Sequence, residues 1–147
     1  MEYASLCWMS ASTTSLQLLD RIQKKALRII GIESDEECAN FNIPSLSHRR
    51  QVAAAVVMYK MHTSKCPVDL KRLLPPPYQI RRMTRSSLSM PSHALEELKS
   101  RTHSTGRSFT HVAVKIWNSL PENIVGVIND NGAQSFKSRT HKYLLQQ

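Results

Sequence analysis

Apolar residues recur early in the chain with the spacing of a helix that has two unlike sides. At about 100° per residue, Leu16, Leu18, Leu19, Ile22, Ala26, Leu27, Ile29 and Ile30 gather on one side, and Arg21, Lys24, Lys25 and Arg28 fall in an arc of about 100° on the other. Thr14-x-x-Gln17 reads as a capping box at its start, and Gly31 supplies the left-handed cap at its end. Ser34-x-x-Glu37 predicts a short helix near residues 35–41, with Asp35, Glu36 and Glu37 at the positive end of its dipole. That placement alone accounts for the acids. After Pro44, Leu46 to Met61 reads as a longer helix whose stretch from Val52 to Met58 is apolar nearly all round, so it belongs in the middle of the core. A guanidinium costs several kcal/mol to bury without a partner, so Arg49 and Arg50 in its first turn are expected at the surface.

Pro67 to Leu74 predicts a two-turn helix, and Pro75-Pro76-Pro77 ends it because proline lacks an amide donor. From Tyr78 to Gly106 the pattern loosens: Ile80, Met83, Leu88 and Met90 are separated by polar and basic residues, which suits an extended arm or a β-hairpin rather than core. Regularity returns with Phe109, Val112, Ala113, Ile116, Trp117 and Leu120, the spacing of a helix laid on a core, with Arg107, His111 and Lys115 opposite. Pro121 stops it, a loop with Gly126 and Asn131-Gly132 follows, and Ala133 to Leu145 predicts a last helix burying Phe136, Tyr143 and Leu144. The expected fold is mainly α, a small domain of four to five helices with an extended or β-hairpin basic arm. Residues 1–77 form a helical segment, 78–106 the arm, and 107–147 a C-terminal helical segment packing on the first.

With 147 residues, 41% of them hydrophobic, the chain suits one domain able to bury a core without disulfides or metals; a multidomain enzyme and wholesale disorder are excluded. The charge changes the picture more. Twenty Lys and Arg against 11 Asp and Glu leave +9, which favours a polyanionic partner and gives no advantage with small neutral substrates. Residues 67–107 hold eight basic residues and three acidic ones, +5 of that total. Cys7, Cys38 and Cys66, too far apart for a paired zinc motif and odd in number, read as small core residues in a reducing compartment. The longest apolar run, Val52 to Tyr59, is far short of the ~20 residues a membrane helix needs, and Met1-Glu2 lacks a basic leader start. A soluble intracellular protein with no membrane partner is expected.

Catalytic signatures are absent. The four glycines never form a phosphate-cradling loop, no Gly-x-Ser-x-Gly elbow occurs, and no lysine follows a serine by three residues. His62-x-x-x-Cys66 offers two metal ligands where a closed zinc site needs four. Glu36-Glu37 and Glu96-Glu97 sit near helix starts in polar surroundings, and the four aspartates are isolated in sequence. No catalytic residue, metal or cofactor is expected. What remains is the basic surface: grouped cations release condensed counterions on meeting phosphates and so need no special motif. Arg21, Lys24, Lys25 and Arg28 are the first candidates. Arg81, Arg82, Arg85, Arg101 and Arg107 are the second, with Arg49, Arg50 and Lys115 added. The other reading is a merely solvated basic face. Trp8, Trp117 and Tyr78 have rings on which bases can stack, although Trp117, at core spacing, is expected inside.

Tyr3-Ala4-Ser5-Leu6-Cys7-Trp8 followed by Leu19-Asp20-Arg21-Ile22-Gln23-Lys24-Lys25-Ala26-Leu27-Arg28-Ile29-Ile30 resembles the region just beyond the polymerase domain in non-LTR (LINE-type, jockey-like) retrotransposon reverse transcriptases. Ile43-Pro44-Ser45-Leu46-x-x-Arg49-Arg50, Tyr59-Lys60-Met61, Thr84-Arg85-Ser86, Gly106-Arg107-Ser108-Phe109, Ile116-Trp117-Asn118-Ser119-Leu120-Pro121 and Ser135-Phe136-Lys137 are similar, in order, to that family's later motifs. The resemblance covers nearly the whole chain, and Trp-Asn-Ser-Leu-Pro is its most distinctive part. It implies a C-terminal piece of an RNA-directed DNA polymerase: the family's Tyr-x-Asp-Asp and its endonuclease have no counterpart here, nor has its Cys/His knuckle. The expected role is a non-catalytic, thumb-like tail that holds template RNA or target DNA by backbone phosphates, with the upstream polymerase domain as a further expected partner, in the nucleus or cytoplasm. The alternative is a helical protein–protein interaction module docking on a polyprotein or host partner.

Overall fold

A computed structural model describes residue 4 and residues 6–79, 90–126 and 132–146. The fold is mainly helical. Chain order gives α1 (Thr13–Ile29), α2 (Asp35–Asn40), α3 (Leu46–His62), α4 (Val68–Lys71), α5 (His103–Gly106), α6 (Phe109–Ser119), α7 (Glu122–Val125) and α8 (Gly132–Leu145). Four of these, α1, α3, α6 and α8, exceed ten residues; the others are α2 and three one-turn pieces.

The all-round apolar character of α3 puts it at the centre, where Val52, Ala54, Ala55, Met58, Tyr59 and Met61 are buried and α6 and α8 lie against it. Ala54 and Ala55, fully buried and without bulk, let those helices approach closely. Trp117 of α6 and Phe136 of α8 close the core around Tyr59. Tyr59 and Phe136 stack with centroids 4.5 Å apart, and Phe136 meets Trp117 at 6.1 Å. Each such pair contributes roughly 0.5–1.5 kcal/mol beyond the area it buries. Tyr143 and Leu144, expected inside, are half-buried.

The helix ends are settled by local chemistry. Ser12, rather than Thr14, caps α1 by accepting from Ser15 N–H at 3.1 Å, so the helix begins earlier than its sequence pattern suggests. At α2 the capping box is complete: Ser34 accepts from Glu37 N–H, and the Glu37 carboxylate accepts from Ser34 N–H. Gly31, Asn42 and Ser64 end α1, α2 and α3 with φ of 82°, 53° and 57°. In each case the following amide reaches back across the last turn: Ile32 to Leu27, Ile43 to Cys38, Lys65 to Lys60.

The expectation of an arm outside the core is corrected for residues 90–106. Ala94 and Leu95 are buried, and an antiparallel bridge joins Pro77 to Leu95. Tyr78 N–H donates to the Ala94 carbonyl and Glu96 N–H to that of Pro76, so the proline run serves as acceptor where it cannot donate. Trp117 Nε1 donates to the His93 carbonyl at 3.1 Å, which ties the segment to α6. Residues 80–89, the middle of the expected arm, lie outside the described residues. Two further expectations change: Pro67–Leu74 makes one turn of helix, and the segment after Pro121 contains α7, which buries Ile124 and Val125.

Candidate nucleic-acid interface

On α1 each of the four basic residues has one of the others three positions away and another four away, and Arg21, Lys24, Lys25 and Arg28 together fall within an arc of about 100° on one side of the helix. Arg21, Lys24, Lys25 and Arg28 are all exposed, and among the described residues none of them pairs with a carboxylate. From Arg21 to Arg28 the rise is about 10 Å, the axial length of about three phosphates along one strand of duplex. Arg21 and Lys24 line a cleft of about 420 Å³ between α1 and the α2–α3 connection, together with Cys38, Ile43 and Ser45. Lys24 and Arg28 line a second cleft of about 360 Å³ reaching Glu33 and Ser34.

The apolar side of α1 is divided. Leu16, Leu19 and Leu27 are half-buried toward the body, whereas Leu18, Ile22, Ile29 and Ile30 are exposed, Ile29 to 78%. The apolar arc spans about 180° of the helix, wider than the neighbouring chain covers. Polar contacts help hold α1 in place: Asp20 pairs with Arg50 at 3.8 Å, and Gln23 Nε2 donates to the Pro44 carbonyl.

Arg49 and Arg50 do not behave as surface cations. Arg49 is half-buried and donates from Nε to the Pro44 carbonyl at 3.1 Å. Arg50 is 7% exposed, with Asp20 on one side and the Trp8 ring 5.8 Å from its Cζ. The correction has a simple cause: the first turn of α3 lies beneath α1 and the N-terminal segment, so Arg50 reaches a carboxylate and a ring face instead of water. Both arginines line a cavity of about 350 Å³ shared with Lys137 and His141 of α8. The sequence reading gave no binding role to Lys137 or His141. Their spacing of four on a helix was the signal available, since it places them on one face.

The remaining candidates are dispersed. Arg101 and Lys115 are exposed, Lys115 on α6 and Arg101 ahead of α5. Arg107 follows α5 half-buried, its Nε enclosed and without a hydrogen-bond partner. Arg81, Arg82 and Arg85 lie outside the described residues. Tyr78 is partly exposed and Trp8 half-buried, while Trp117 is fully buried, as its spacing predicts.

Two histidines are shifted by their surroundings. His48 Nε2 and His141 Nδ1 are 2.8 Å apart, one donating to the other according to tautomer, with their rings edge-on at 4.7 Å. Burial, and then the charge of His141, hold the His48 imidazole below its ordinary pKa. His93, enclosed beside Trp117, is also lowered by burial, against the opposing influence of the Trp117 backbone and Glu122. Glu37 and Glu122 are held below the usual carboxylate range by backbone amides, of Ser34 and Glu33 for the first and of Ser92 for the second.

Cys7 is exposed and Cys38 and Cys66 half-buried, all with free thiols, so the expectation of core cysteines is corrected; only Cys66 packs against the core. Among the described residues no group of three or more His, Cys, Asp or Glu side chains is placed to hold a metal ion, and no helix is long and apolar enough to cross a membrane. No protein-family model, curated protein or solved structure matches this chain.

Proposed function

We propose that the chain is a non-catalytic nucleic-acid-binding domain that holds RNA or DNA by its phosphates, serving as the C-terminal, thumb-like portion of a retrotransposon reverse transcriptase. The observation that carries this reading is the stripe of Arg21, Lys24, Lys25 and Arg28, exposed along one side of α1 and not neutralised by described carboxylates. Such a stripe gives sequence-independent affinity through counterion release. The motif resemblance supplies the biological setting. The experiment is fluorescence anisotropy of labelled single-stranded RNA and duplex DNA across a salt series. Four engaged phosphates give a slope of log affinity against log salt of about −3 on single strands and about −4 on duplex. Replacing all four cations with glutamine removes most of that slope; a flat response in the parent chain overturns the reading.

A second reading rests on the exposed Leu18, Ile22 and Ile29, which lie beside the cations on the outward side of α1. A contiguous apolar patch of this kind marks a protein-docking surface, and the domain would then be a helical interaction module on a polyprotein or host factor. Concentration-dependent self-association, relieved by Leu18→Gln with Ile22→Gln and accompanied by no RNA retention at ~150 mM salt, selects this reading over the first.

A further inference from the structure

Helix α1 carries an apolar strip that the fold does not use. Leu19, Gln23 and Leu27 are half-buried toward the body. Turned away from them, Leu18, Ile22 and Ile29 are 53%, 53% and 78% exposed. At about 100° per residue these three fall within an arc of only about 40°. Lys25, also exposed, lies in the same strip, so the steps from Leu18 to Ile22, Lys25 and Ile29 are four, three and four residues. That is the repeat of a coiled-coil seam, with Leu18 and Lys25 at d positions and Ile22 and Ile29 at a positions. Isoleucine at a with leucine at d suits a two-stranded pairing, and a lysine within the seam fixes its register. The strip runs about 17 Å along the helix, long enough for several turns of one partner helix.

The edges of the strip specify what the partner brings. One edge carries Arg21 and Arg28, exposed and not paired with any described carboxylate; the other carries the small, exposed Ser15 and Ala26. A second copy of α1 would set these cations and Lys25 against cations, because the one carboxylate of α1 is Asp20, engaged by Arg50 at 3.8 Å. Phosphates would neutralise the cations but bring nothing to cover Leu18, Ile22 and Ile29. A bilayer takes up a broad apolar face, whereas an arc of about 40° interrupted by a lysine is the narrower seam of a helix pair. We propose that the outward face of α1 docks an acidic amphipathic helix of a partner protein. Apolar residues at its a and d positions cover Leu18, Ile22 and Ile29, and its Asp or Glu side chains meet Arg21, Lys25 and Arg28. The apolar seam supplies affinity, and the charges select the partner and speed its encounter. The inference rests on the interaction-module reading and names the partner's chemistry. Because carboxylates and phosphates compete for the same cations, the partner helix and nucleic acid exclude one another.

The test is fluorescence anisotropy of the full chain with labelled peptides of about three heptads. The acidic peptide has leucine at a and d and glutamate at e and g; one control has lysine at e and g, and the other has serine at a and d. Saturable binding of the acidic peptide is expected, at least tenfold tighter than of either control. Leu18→Gln with Ile22→Gln, on exposed positions that leave the core intact, is expected to weaken it at least tenfold while changing RNA affinity less than twofold. Arg21→Glu with Lys25→Glu and Arg28→Glu is expected to invert the preference, so that the lysine peptide binds and the acidic peptide does not. Absence of saturable binding of the acidic peptide at submillimolar concentration, or equal binding of its serine form, overturns the docking site. Binding to phosphatidylserine vesicles that is lost in the Leu18 and Ile22 variant, without binding of the acidic peptide, overturns it in favour of a lipid surface. Self-association through Leu18 and Ile22 without binding of the acidic peptide overturns this partner class and leaves the interaction-module reading standing, so the two failures are separable.

Discussion

Asn118 holds Leu95 by both backbone groups: its Oδ1 accepts from Leu95 N–H at 2.9 Å, and its Nδ2 donates to the Leu95 carbonyl at 2.9 Å. A side-chain amide here does what a neighbouring strand does in a sheet, and it explains how an extended segment can be buried against a helix without orphaning its peptide groups. With Trp117 Nε1 on His93, it fastens residues 93–95 to α6.

Asn118→Ala removes the partners of both Leu95 backbone groups, its N–H and its carbonyl, at once. Its expected cost is about 2–4 kcal/mol, since each unsatisfied buried group costs roughly 1–3 kcal/mol and water restores part of it. Urea unfolding followed by circular dichroism measures this, and Asn118→Asp, which keeps the acceptor but loses the donor, is expected to fall between the two.

The outward leucine and isoleucines of α1 contribute little to folding. Leu18→Gln and Ile22→Gln are each expected within about 0.5 kcal/mol of the parent, as for ordinary surface positions, because both side chains are 53% exposed. Thermal melts of the two variants against Met58→Ala, a buried position expected to cost about 2–5 kcal/mol, check that the core lies on α3 and not along α1.

Asp20 is the acidic partner that lets Arg50 lie under α1. Asp20→Asn leaves the guanidinium enclosed with less compensation; since Asp20 is itself partly exposed, the expected cost is about 1 kcal/mol. The loss is local: amide exchange within α1 accelerates, while α3, α6 and α8 keep their protection.

Acid destabilises the fold through its enclosed histidines. His48 and His93 both have their pKa values lowered on folding, so the unfolded chain takes up protons first. Their contribution is complete above the unfolded imidazole pKa of about 6.5 and is lost as pH falls through the lower folded values. Melting temperature is therefore expected to fall from pH 7 to pH 5, and the profile of His48→Gln to be flatter.

Ser64 ends α3 with a φ of 57°, a conformation that costs a residue bearing a Cβ. Ser64→Gly is expected to stabilise the protein by about 0.5–1 kcal/mol, the relief of left-handed strain exceeding the added freedom of the unfolded chain. Chemical denaturation of the two proteins under one condition measures the difference.

Periodicity and capping residues by themselves determined that α1, α2, α3, α6 and α8 exist and nearly where they end, because a helix is built from contacts three and four residues apart and Gly31, Ser34 and Pro121 act on their own neighbourhood. The exposed stripe of Arg21, Lys24, Lys25 and Arg28 was legible for the same reason. Tertiary structure alone decided that Arg50 is buried, that Ala94 and Leu95 belong to the core, and that Lys137 and His141 join two arginines of α3 around one cavity. Those outcomes depend on partners far apart in the chain, such as Asp20 for Arg50, Asn118 for Leu95 and His141 for His48, and no local pattern encodes which distant group will meet which.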